Sequence, residues 1–159
     1  MTTSSAPEKK HLYLEDLHVG QRFVTGSLAI DAEQIKAFAR QFDPQPFHID
    51  EEAAKQGFFG GLAASGWHTA SLTMRLLVDG GPAFAGGNIG ICVEVAWQRA
   101  TRPGDVLTVE CEVTDIRPSL SMQNRGIISM RNETKNQHGE VVQVMKSKSL
   151  ALRKPSNNA

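Results

Sequence analysis

The sequence predicts an α+β fold in which an antiparallel sheet of about five strands curls around one buried helix. The spacing of apolar residues carries this prediction. Up to about residue 80 they recur at helical spacing, and from Asn88 onward they alternate with period two. The connections between the alternating runs are too short for the crossover a parallel pair needs, so the strands run antiparallel. At 159 residues, the chain can bury roughly two-thirds of its unfolded surface as one domain, without a metal or disulfide staple.

The elements follow in chain order. Residues 23–30 form a first strand, with Gly26 as a weak point or bulge. Ile35, Phe38, Ala39 and Phe42 share one helical face, and Asp31 with Gln34 makes a capping box at its start. The run Asp43-Pro44-Gln45-Pro46 stops that helix, because proline cannot continue it and biases its predecessor toward extended backbone. Asp50 caps a short helix through Glu51, Ala53 and Ala54 that ends at Gly57. After a glycine-bearing loop over 58–64, a longer helix spans 66–78 and stops at Gly80-Gly81-Pro82. Its apolar residues Ala70, Leu72, Met74, Leu76 and Leu77 spread around much of the circumference, as in a buried helix. Ile89, Ile91, Val93, Val95 and Trp97 then alternate along a strand. Leu107, Val109, Cys111 and Val113 alternate with Thr108, Glu110, Glu112 and Thr114, the cleanest half-buried pattern in the chain. Strands over 126–136 and 141–152 are joined by the turn Gln137-His138-Gly139-Glu140. One domain is expected over 11–153, between a disordered arm (1–10) and a flexible tail (154–159).

Composition removes several classes of function. Lys and Arg number 17 and Asp and Glu 17, so the chain lacks the basic field that nucleic acids or anionic membranes attract. The longest apolar runs fall far short of the roughly 18 residues of a membrane span. The polar stretch Met1 to Lys10 lacks the apolar core of a signal peptide. Two cysteines without CxxC spacing fit a reduced, cytoplasmic protein, and both fall in strands as structural thiols. The glycine pairs at 60–61 and 86–87 lack the strand and lysine of a phosphate loop, and GxSxG is absent. A metal site from His48, Asp50 and His68 has no supporting ligand spacing, so none is expected.

Two segments can carry chemistry. In Phe42-Asp43-Pro44-Gln45-Pro46-Phe47-His48-Ile49-Asp50, two prolines stiffen the link between an acid and an imidazole. Such a pair can share one water, the carboxylate orienting it and the imidazole taking its proton. An imidazole titrates near pH ~6.5, so it can do this in the cell. Asp before Pro is also a common turn residue, and a loop histidine is often merely solvated. Ser65-Gly66-Trp67-His68 opens the long helix. Backbone N–H groups there have no internal partner and sit at the positive end of the helix dipole. Gly66 has no side chain to block an approaching oxygen, so its N–H could stabilise an oxyanion, a contact typically worth about 3–4 kcal/mol in the barrier. Equally, Ser65 could simply cap the helix while Gly66 lets it pack closely.

Together with Leu62-Ala63-Ala64-Ser65-Gly66-Trp67-His68-Thr69, Trp97-Gln98-Arg99 and Arg102-Pro103-Gly104-Asp105, the dyad segment resembles the MaoC-like dehydratases, close kin of the (R)-specific enoyl-CoA hydratases. The resemblance implies a hot-dog fold and a homodimer, or a higher oligomer built from it, with sheets joined edge to edge. It implies a hydro-lyase of fatty acid metabolism that adds water to a trans-2-enoyl thioester of CoA or an acyl carrier, or removes it from a 3-hydroxyacyl thioester. Asp43 and His48 match the water-activating dyad, and Gly66 matches the glycine whose N–H polarises the thioester carbonyl. The chain departs from the family in having Ser65 where hydratases commonly have His, and Gln45 where they commonly have Asn. Ser65, Phe47, Trp67, Phe58, Phe59 and also Met74 are candidates to contact substrate. No cofactor is implied, because CoA is part of the substrate. Two other functions stay open: a hot-dog acyl-CoA thioesterase, and a non-catalytic acyl-CoA-binding module.

Overall fold

Residues 10–156 are described by a computed structural model. The expected arm at 1–10 lies almost wholly outside them. The first strand, β1 (Arg22–Ala29), is followed by helices α1 (Ala32–Phe42), α2 (Pro46–Ile49), α3 (Glu51–Gln56) and α4 (Gly66–Gly80). Strands β2 (Ile89–Trp97), β3 (Val106–Pro118), β4 (Arg125–Lys135) and β5 (Val141–Leu152) complete the chain. They form one five-stranded sheet in the order β1-β3-β4-β5-β2, and every pairing is antiparallel. The register of β1 on β3 shifts between Val24 and Ser27, around Gly26.

Local chemistry explains the helix bounds. Asp31 accepts the Gln34 N–H at 2.8 Å and donates its own N–H to Gln34 Oε1 at 2.9 Å, so two orphan amides at the start of α1 are satisfied reciprocally. Asp50 Oδ1 caps α3 through the N–H groups of Glu52 and Ala53. The proline segment does stop α1, but it was expected to be a stiff loop throughout. Instead Pro46 opens the four-residue helix α2, where its fixed φ is already helical and its missing N–H costs nothing.

The core lies between α4 and the sheet. Leu76 and Leu77 of α4 pack with Leu107, Val109, Cys111 and Val113 of β3 and with Ile128 and Val142 of the next strands. Burial drives the Cys111 thiol up to about 12, so it stays protonated and acts as a small apolar side chain. A second cluster, Ile30, Ile35, Ala54, Leu62 and Ala64, lies beneath the loop that leads into α4. The opposite face of the sheet is a charged ladder in which Glu112 lies across from Arg22 and Arg131, and Lys146 across from Arg131 and Glu94. Among the described residues no helix is long and apolar enough to cross a membrane.

Two expectations need correcting, for the long helix and for the tail. The helix read as buried all round is covered on one side only: Thr69, Thr73, Leu76 and Leu77 are buried, whereas Trp67 is 60% and Val78 62% exposed. Strand β2 covers the alternating run as expected, and it is a sheet edge on which Ile89, Ile91, Val93 and Trp97 are all exposed. Period two reports that the two faces differ, not that this chain covers either of them. Lys154, expected in a free tail, is tied back, its N–H on Glu15 Oε2 at 3.0 Å and its Nζ on Asp16 Oδ1 at 2.6 Å.

Candidate functional site

Asp43 is the residue on which α1 ends, and its N–H closes the helix on the Ala39 carbonyl. The helical turn α2 then lifts His48 back toward it, leaving His48 Nε2 3.4 Å from Asp43 Oδ2. The imidazole is buried, and its Nδ1 lies 2.6 Å from the Ala63 carbonyl. A carbonyl only accepts, so Nδ1 carries the hydrogen, and the lone pair of the neutral ring sits on Nε2, facing the carboxylate. The fold therefore sets the tautomer that a base acting through Nε2 requires.

The carboxylate is held by two donors. Ser65 Oγ donates to Oδ2 at 2.6 Å, and Gln45 Nε2 donates to Oδ1 at 2.7 Å. Burial alone would raise the Asp43 pKa. The hydrogen bonds from Ser65 and Gln45 outweigh it and hold the carboxyl below its usual range. Ser65 also caps α4, accepting the Trp67 N–H at 3.3 Å. One hydroxyl thus ties the end of α1 to the start of α4. Ser65 is fully buried and is not part of the cleft wall, so its expected contact with substrate gives way to a contact with Asp43.

Asp43, His48 and Gly66 line one cleft of about 970 Å³. As the first residue of α4, Gly66 has no intrahelical acceptor for its N–H. Phe47, Phe58, Phe59, Trp67 and Trp97 form the aromatic part of the wall, while Met74 lies outside it. Phe47 meets Phe59 edge-on at 5.2 Å, and Phe58 is 94% exposed. The polar wall, from Gln98, Arg99, Asn136, His138 and Glu140, comes from the end of β2 and the β4–β5 turn. The other residues weighed for a metal are elsewhere: Asp50 caps α3, and His68 stacks flat on Phe38 at 4.4 Å.

With this geometry in hand, residues 16–140 match the family model described as "MaoC like domain". The chain belongs to the MaoC-like domain family. A crystal structure of the MaoC-like dehydratase from Rhodospirillum rubrum is 54% identical with a TM-score of 0.89, covering 91% of this chain and 99% of that one. A "3-hydroxybutyryl-CoA dehydratase" of Methylorubrum extorquens is 32% identical over 114 residues, 70% of each chain. The "Uncharacterized protein YdeM" of Bacillus subtilis is 35% identical over 127 residues, 78% of this chain and 87% of that one. The sheet wrapped on α4 is the hot-dog fold of this family.

Several contacts at the site of this MaoC-like domain gave no sequence signal. Trp97 lies against Gly66, from 31 positions away in the chain. Arg102 sits in a segment that carried part of the family resemblance but no role of its own, yet its guanidinium donates to the carbonyls of Phe59, Gly61 and Leu62 and pins the aromatic loop. The Gln45 bond to Asp43, by contrast, was open to detection, since a side-chain amide two residues after an Asp can reach it locally.

Proposed function

We propose that this protein hydrates trans-2-enoyl thioesters, or dehydrates the corresponding 3-hydroxyacyl thioesters. One observation carries the reading: an ionised carboxylate and an imidazole of set tautomer face each other across 3.4 Å, in the same cleft as a helix-start glycine whose N–H has no intrahelical acceptor. Two acceptors at that separation can each take one hydrogen of a single water about 2.8 Å from both. In the proposed reaction His48 Nε2 takes a proton as the water oxygen bonds to the β-carbon. The π electrons of the Cα–Cβ bond shift toward the thioester carbonyl, and the Gly66 N–H stabilises the resulting oxyanion. Asp43, held as carboxylate by Ser65 and Gln45, orients the water, and the imidazolium returns the proton to the α-carbon. Side chains, an amide and water suffice for these steps, so CoA enters only as part of the substrate.

The relative from Methylorubrum extorquens supports a CoA thioester as the carrier form. The aromatic wall of Phe47, Phe58, Phe59 and Trp67 supports an apolar acyl group, and the polar wall supports the carrier arm. A homodimer is part of the proposal. The open edge of β2 and the exposed Trp67, Met74 and Val78 of α4 present the backbone and apolar surface a second copy would cover. The two free cysteines support a reducing, cytoplasmic setting.

The test is a panel of crotonyl-, hexenoyl- and branched enoyl-CoA followed by ultraviolet absorbance, with free thiol assayed in parallel. Loss of the enoyl band without thiol release is expected. Thiol release from saturated acyl-CoA would assign a thioesterase instead, and inertness on the whole panel would overturn the reading.

A further inference from the structure

Gly66 is held from outside α4 as well as by its own helix. A Cβ on residue 66 would lie 2.5, 2.8 and 2.9 Å from Cε2, Cδ2 and Cζ2 of Trp97, so the indole lies directly on the glycine. Trp97 Nε1–H is shared between the Gly66 carbonyl and Gln143 Oε1, each at 2.9 Å. An indole N–H only donates, so the Gln143 amide must turn its oxygen toward Trp97. Its nitrogen then donates to Thr73 Oγ1 at 3.0 Å. The Thr73 proton goes to the Thr69 carbonyl at 2.9 Å, which leaves Thr73 Oγ1 accepting from Gln143 and, at 2.6 Å, from Thr134. Gln143, Thr73 and Thr134 are fully buried, and Gln143 is the largest polar side chain so enclosed among the described residues. A buried amide with each end committed has one low-energy orientation, and that orientation fixes the indole.

We propose that Trp97, oriented by Gln143, is a positioning residue for the Gly66 amide. The indole clamps the Gly66 Cα and carbonyl, so the N–H of the same residue keeps one direction toward the thioester oxygen. The consequence for rate rests on the hydratase reading, because a fixed donor matters where charge builds on a carbonyl oxygen. Trp97→Phe tests it, since phenylalanine keeps an aromatic ring over Gly66 but cannot donate to the carbonyl or to Gln143. Gln143→Met breaks the same chain one step further back.

Two readouts are taken on the intact protein: steady-state kinetics with crotonyl-CoA, and the 15N order parameter of Gly66 in glycine-labelled protein. In Trp97→Phe the order parameter should drop and kcat should fall about tenfold, with KM changed less than twofold. Gln143→Met should move both the same way, and if it does not fold, Trp97→Phe alone carries the test. An unchanged order parameter with unchanged kcat, or a rise in KM alone, would overturn the clamp. If the wild type is inert on every enoyl thioester, the hydratase reading falls and the Gly66 order parameter decides by itself. A drop then supports the clamp, and no drop overturns it.

Discussion

Ser65 links the two halves of the site. Its hydroxyl proton goes to the Asp43 oxygen that faces His48, and its oxygen caps α4. Removing it leaves Gln45 as the remaining side-chain donor to the carboxylate. The Ser65 bond lowers the Asp43 pKa, so Ser65→Ala should raise it and move the titration profile of the Asp43 carboxyl, followed by 13C NMR, to higher pH. The same variant should lose about 1 kcal/mol of stability through the missing cap, measured by urea unfolding. A profile that does not move would separate Ser65 from the dyad. Only part of this was legible beforehand. Ser65 was readable as a cap because capping is local, but its bond to Asp43 exists because the end of α1 meets the start of α4, and no spacing encodes that meeting.

Elements were legible where their signals are local. The capping box of α1 and the alternation of β3 both appear as expected. The helical turn α2 was missed because two prolines read as a stop, although proline at the first helical position also starts a helix. β2 lies where its alternation placed it, but alternation does not report that its apolar side chains have no cover within one chain. The loop before α4 has no regular structure, and Arg102 supplies its order from across the cleft, bonding to three of its carbonyls. Hydrogen bonds from a charged donor contribute about 1.5–3 kcal/mol each, and leaving carbonyls unpaired costs as much again. Arg102→Met should therefore destabilise the protein by at least about 2 kcal/mol. It should also raise KM severalfold, because Phe59 would no longer be held against Phe47. A melt and a Michaelis curve check both effects, and an unaltered KM would show that the loop holds itself.

Across the whole molecule, a buried imidazole and a partly buried carboxylate make stability depend on pH in the same direction. Burial lowers the His68 pKa from 6.5, so as pH falls below that value the unfolded chain takes up a proton that the folded chain resists. Stability is therefore lost as pH falls from 6.5 toward the depressed folded value. Asp43 acts further down. Its folded pKa lies below 3.8, so its contribution is present above that value and lost as pH falls through the folded one. His68→Phe keeps an aromatic stack on Phe38 and removes the first titration, so the urea midpoint of this variant should vary less than that of the wild type between pH 7 and 5. An equal slope in both would place the acid sensitivity elsewhere. The central claim joins the scales: the end of α1, the turn α2 and the start of α4 bring an acid, a base and an amide donor to one cleft. The most direct measurement is the hydration rate of crotonyl-CoA by the wild type, Asp43→Asn and His48→Ala, with circular dichroism on each. Turnover by the wild type and a loss of about 100-fold or more in both variants, with unchanged spectra, is the predicted result. Variants that hydrate at the wild-type rate would contradict it.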